Sequence, residues 1–91
     1  MTPEKEIIIS EHAALSMKNR GASADEVIST IRSAEWTEAK KSRLQAKQTI
    51  PFNRISPVNG IHYTSKTVEA VFVDEPNAIT VVTVKVYYHN E

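Results

Sequence analysis

The chain has 91 residues, 41% hydrophobic and 24% charged, with zero formal net charge and no cysteine. A single domain over residues 1–91 with one core is expected, leaving no room for a separate cofactor domain. Disulfides, thiolate zinc sites and cysteine nucleophiles are excluded, and no apolar run approaches the roughly 20 residues of a membrane span.

The N-terminal stretch MTPEKEIIIS has too short an apolar run, Ile7 to Ile9, for a signal-peptide core, so a cytoplasmic location is expected. Ser10 is a good N-cap, because its side-chain oxygen can accept a bond from an orphan amide of the first turn. Glu11 then meets the positive end of the helix dipole and Arg20 the negative end, with Gly21 as a left-handed stop. A first helix over about 11–20 follows. Ser23 with Glu26 forms a capping box, and Val27, Ile28 and Ile31 recur at helical spacing, predicting a second helix over about 24–33. The Gly21-Ala22 connection is so short that the helices must form a hairpin or corner. Trp36 is expected to plug the core between helix and sheet.

Beyond Trp36 the period changes from 3.6 to 2. Leu44, Ala46, Gln48 and Ile50 alternate with polar neighbours, giving a strand over about 44–50 that Pro51 ends or confines to an edge. A loop over about 53–59 carries Pro57 and Asn59-Gly60. Alternation resumes over 61–66. VEAVFV (68–73) and AITVVTVKVYY (78–88) are rich in β-branched and aromatic residues, and DEPN between them supplies a turn, so they form a hairpin. Val82, Val84, Val86 and Tyr88 would share one face; Ile79, Val81, Thr83, Lys85 and Tyr87 would share the other. With both faces partly apolar, this strand should lie inside its sheet. The layout is α+β: two short N-terminal helices on an antiparallel sheet of three to four strands.

The neutral total hides an uneven charge distribution. Residues 1–36 carry 4 basic and 6 acidic side chains, residues 37–66 carry 6 basic and only Glu38, and residues 67–91 carry Lys85 against four acids. A basic middle segment fits an anion-binding face; it also fits an edge strand that lysine protects from pairing. Candidate phosphate contacts are Arg20, Arg43, Lys47, Arg54, Lys66 and Lys85. Phe52, Tyr63, Tyr87 and Tyr88 are candidates for stacking single-stranded RNA, against the plainer role of core or core-edge residues.

His12, at the second helical position, would share a polar stripe with Ser16, Asn19 and Arg20, opposite an apolar stripe of Ala13, Ala14 and Met17. Unsatisfied amides in the first turn disfavour its charged form, which suits a general base toward a ribose 2′-hydroxyl, with arginine or lysine stabilising the transition state. The plainer alternative is a partly buried histidine bonded to a carbonyl. His12, His62 and His89 have no recognisable metal-ligand spacing, so no metal site is expected. Ser16 lacks a nucleophile elbow, and two glycines make no phosphate-cradling loop, so no nucleotide cofactor is expected either.

His12-Ala13, Met17, Arg20-Gly21, Ser23 and Val27 resemble a bacterial domain family of unknown function with an HA..RM..RG pattern. The likeness continues through Gln48-Thr49-Ile50-Pro51-Phe52-Asn53, Tyr63-Thr64-Ser65-Lys66, Val68-Glu69 and Val82-Thr83-Val84. It implies the RNase-toxin-like fold of barnase-, RelE- and colicin-type nucleases, with N-terminal helices before a four-stranded antiparallel sheet. It also implies a role in toxin or conflict systems and His12 as the active residue. Ser16 stands where that family often has arginine, which implies either lost catalysis or a phosphate contact shifted to Arg20 or Arg43. Two functions follow as expectations. One is a metal-independent ribonuclease with His12 as acid or base and Arg20 and Arg43 on the phosphate. The other is a non-catalytic module that binds RNA, an antitoxin or another protein. An unpaired edge at 44–50 could also pair across a homodimer, although edge lysine opposes this.

Overall fold

Chain order runs β1 (Glu6–Ile9), α1 (Glu11–Arg20), α2 (Ala24–Ser33), β2 (Thr37–Glu38), β3 (Leu44–Ile55), β4 (His62–Asp74) and β5 (Ala78–His89) in the computed structural model, which describes residues 5–90. The strands form one five-stranded sheet in the order β1-β5-β4-β3-β2. Strands β2 to β5 make an antiparallel meander, and β1 joins β5 in parallel, Glu6 opposite Ala78 and Ile9 opposite Val81. The α+β class holds, but the sheet is mixed and has one strand more than the expected maximum. Both extra strands, β1 and β2, are four residues or fewer, too short for a period to show, and are defined by their neighbours.

Both helices have the predicted bounds because their ends are chemically marked. Ser10 Oγ accepts from the Ala13 amide at 3.1 Å, and Gly21 closes α1 at φ 82°. The Ser23–Glu26 box is complete, with Oγ accepting from the Glu26 amide at 3.1 Å and the Ser23 amide donating to Oε1 at 2.9 Å. One face of the sheet takes both helices, α1 over β5 and α2 over β4 and β3. Ala13, Met17, Val27 and Ile31 from the helices meet Val68, Phe72, Val81 and Val84 from the sheet. Ala46 and Ala70 stand opposite each other in register and are fully buried, a shallow seat over which α2 can lie close.

The strands correct the sequence reading in four places. The segments 61–66 and 68–73 form one strand; the polar run Thr64 to Thr67 stays in it because Lys66 has partners inside the fold. Strand β3 continues through Pro51 to Ile55, so the turn shrinks to residues 56–61. Strand β2 pairs β3 only at Leu44 and Gln45, so Pro51 lies on an open edge where its missing N–H breaks no ladder. The register shifts at Pro51–Arg54, with Asn53 left-handed at φ 49°. In β5 the two faces are not simple alternates. Phe72 opposes Val81 while Val71 opposes Thr83, so Val82 is an extra, bulged residue. The bulge shifts the phase: Ile79 and Val81 before it, and Val84 and Val86 after it, all face the helices. Finally, Trp36 does not plug the core. It is 37% exposed and lies edge-on to Phe72 at 4.9 Å, with its indole N–H on the Ile31 carbonyl.

Where β1 stops, α1 takes over the edge of β5. The Ser10 amide donates to Val81 O at 3.2 Å, Arg20 Nη1 to Val84 O at 2.6 Å, and Tyr88 Oη to Arg20 O at 2.7 Å. Gly21 sits at this junction, and a Cβ there would come within 2.5 Å of Tyr88 Oη and 2.8 Å of Pro57 Cγ. Gly21→Ala therefore meets a left-handed backbone and two crowded neighbours. A destabilisation of about 2–4 kcal/mol is expected, read as a lower urea midpoint at unchanged slope.

Candidate nucleic-acid interface

The helices leave the second face of the sheet bare. Register places its side chains in rows: Gln45, Val71 and Thr83; then Lys47, Glu69 and Lys85; then Thr49, Thr67 and Tyr87; then Pro51, Ser65 and His89. Beside the first two rows lies an open groove of about 660 Å³, lined among others by Lys40, Lys41, Arg43, Thr83 and Lys85. The turn between β2 and β3 brings three of these cations. Lys41 and Ser42 both have positive φ, 61° and 60°, and the Arg43 amide reaches Lys40 O at 3.3 Å. This is a type I′ geometry, which glycine and asparagine usually occupy. Lys-Ser holds it at a backbone cost, with Lys41 carrying a charged side chain where a glycine would carry none.

Of the candidate phosphate contacts, Arg43 and Lys85 meet at this groove although 42 positions separate them in sequence. Lys47 stands exposed in the adjoining row. Glu69 lies between Lys47 and Lys85, with Lys85 Nζ 4.0 Å from its carboxylate. Around the groove and this row, five cations face two carboxylates, Glu38 and Glu69.

Arg20 is spent on the Val84 carbonyl and Arg54 lies 5.2 Å from the Phe52 ring, away from this groove. Lys66 is not a surface contact. It is 3% exposed, donates to Gly21 O at 2.8 Å and Glu26 Oε1 at 2.9 Å, and lies 5.1 Å from the Phe52 ring. Phe52, Tyr63 and Tyr88 cluster together, Tyr88 5.2 Å from Phe52 and 5.5 Å from Tyr63, and burial pushes the Tyr88 phenol up. Tyr87 is the one stacking candidate on the bare face, and it is half exposed.

His12 is exposed on α1, and among the described residues no hydrogen bond holds its ring. The expected polar stripe divides: Ser16 is buried, donating to His12 O at 3.0 Å and lying 3.4 Å from Thr83 Oγ1, while Ala14 is exposed. His12 and Ser16, one turn apart, share a helix flank, and Thr83 lines the groove. Among the described residues no three histidine or carboxylate side chains gather as a metal-binding group, and no helix is long and apolar enough to cross a membrane.

No protein-family model, curated protein or solved structure matches the chain.

The Lys66 site has its own consequence in acid. Burial raises the Glu26 carboxyl, but hydrogen bonds from Lys66 and Ser23 and the lysine charge outweigh it, and the net shift is downward. A lowered folded value stabilises the fold fully above the unfolded value near about 4.3 and loses that contribution as pH falls through the folded value. The urea midpoint of the wild type should therefore drop below about pH 4. That of Glu26→Gln should start lower at neutral pH and drop less.

Proposed function

We propose that this chain is an RNA-binding domain whose contact surface is the helix-free face of its sheet. The observation that carries this reading is the convergence of Lys40, Lys41, Arg43 and Lys85 on one open groove, with Lys47 beside it. A neutral chain has no general attraction for polyanions, so a cation cluster assembled from a turn and a distant strand is the informative feature. Phosphates held there release counterions, which supplies affinity and makes it fall with salt. The two helices brace the other face and leave this one uncovered.

Binding without cleavage fits the geometry better than catalysis, because among the described residues nothing orients the His12 ring, and a general base needs an orienting partner. One observation favours cleavage as a second reading: His12 shares its helix flank with Ser16, which touches groove-lining Thr83. The resemblance to RNase-toxin-like domains supports the same second reading.

The test is fluorescence anisotropy of a short labelled RNA across a salt series. Wild type should bind at low salt. The Arg43→Ala, Lys85→Ala double variant should bind at least tenfold more weakly, with a log–log salt slope shallower by about 1.4 if each residue holds one phosphate of a single strand. Equal affinities and slopes would defeat the reading. On a gel, the same RNA should stay intact with wild type; cleavage that persists in EDTA and vanishes in His12→Ala would install the nuclease reading instead.

A further inference from the structure

We infer that the bare face takes single-stranded nucleic acid, with one base stacked on Tyr87. This rests on the RNA reading above and adds the strand state and the residue that selects it. Tyr87 differs from the other tyrosines in placement. Tyr63 and Tyr88 pack on each other, and Tyr88 also packs on Phe52 and bonds the Arg20 carbonyl. Tyr87 is 50% exposed, and among the described residues its ring has no aromatic neighbour and its hydroxyl no hydrogen-bond partner.

Its surroundings suit a base rather than an apolar side chain. Across the sheet in register stand Thr67 and then Thr49, whose hydroxyls lie 2.7 Å apart, and Thr67 Oγ1 lies 3.0 Å from His89 Nε2. This short-chain polar floor leaves the aromatic ring as the one large apolar surface in its row. Lys85 precedes Tyr87 by two residues on the same face, about 7 Å along the strand. Lys47 sits diagonally across. A nucleotide whose base lies on the ring thus has cations beside its phosphate, and the groove with Lys40, Lys41 and Arg43 continues the track. The charge is complementary to a phosphate chain. A duplex keeps its base faces stacked inside and offers none to the tyrosine, whereas an unpaired base is free to lie on it.

The experiment measures binding of one labelled RNA sequence, single-stranded and annealed to its complement, by the full chain. The proteins are wild type, Tyr87→Ala, Tyr87→Phe and the Arg43→Ala, Lys85→Ala variant, each checked for an unchanged thermal midpoint. Wild type should prefer the single strand. Tyr87→Ala should weaken single-strand binding by about 5- to 150-fold, the range for loss of one base–aromatic stack, while duplex binding changes less than about twofold. Tyr87→Phe keeps the ring and should bind like wild type. If Tyr87→Ala binds the single strand as wild type does, or weakens the duplex equally, the stacking inference fails. In that case an effect of the cation variant leaves the RNA reading standing. A wild type that binds neither RNA overturns the RNA reading and this inference together.

Discussion

The fold turns on a single carbonyl, that of Gly21. Lys66 reaches it from the middle of β4 and at the same time holds the Glu26 carboxylate, which caps α2. The preceding carbonyl, of Arg20, takes the Tyr88 hydroxyl from β5. Two helices and two strands are thus tied at one corner by three polar contacts and a residue without a side chain. A buried ammonium is costly unless paired and bonded, and here an ion, a carbonyl and an aromatic ring share it. Removing the carboxylate would leave a charge in the interior, so this pair holds more of the fold than the exposed Lys5–Asp74 bridge does.

Fixing that corner decides which face of the sheet is free. With α1 strapped along β5 and α2 seated over Ala46 and Ala70, apolar side chains gather on one side and the charged rows on the other. The tight turn at Lys41-Ser42 then carries Lys40, Lys41 and Arg43 toward Lys85. The cation cluster is therefore a product of topology: β2 and β5 lie on opposite sides of the β3–β4 pair, and the groove spans between them.

The helices were legible because Ser10, Gly21, Ser23 and Glu26 state their ends within four residues of where they act. The hairpin of β4 and β5 was legible from composition. Strand β1 was not, since Ile7 to Ile9 gain their meaning only beside Ile79 and Val81, some 70 residues away. The roles of single cations were equally hidden. Lys66 and Arg20 have the same letters as Lys85 and Arg43, yet two are consumed by backbone carbonyls and two reach the open groove. Charge counting finds the basic segment; only the partners of each nitrogen say which charges remain for another molecule.

The bulged valine in β5 has an effect out of proportion to its size. Val82 is a frame-setter: every residue downstream keeps its side because one extra position was inserted there. Pairing Val82 regularly with Val71, with no bulge, would turn Lys85 and Tyr87 into the interior and push Val84 and Val86 out to water, inverting half a strand by a one-residue slip. Loss of Val82 itself would leave plain alternation with each side chain on its present face, so what the strand must keep is the pairing of Val71 with Thr83 and not the number of residues between Val81 and Thr83.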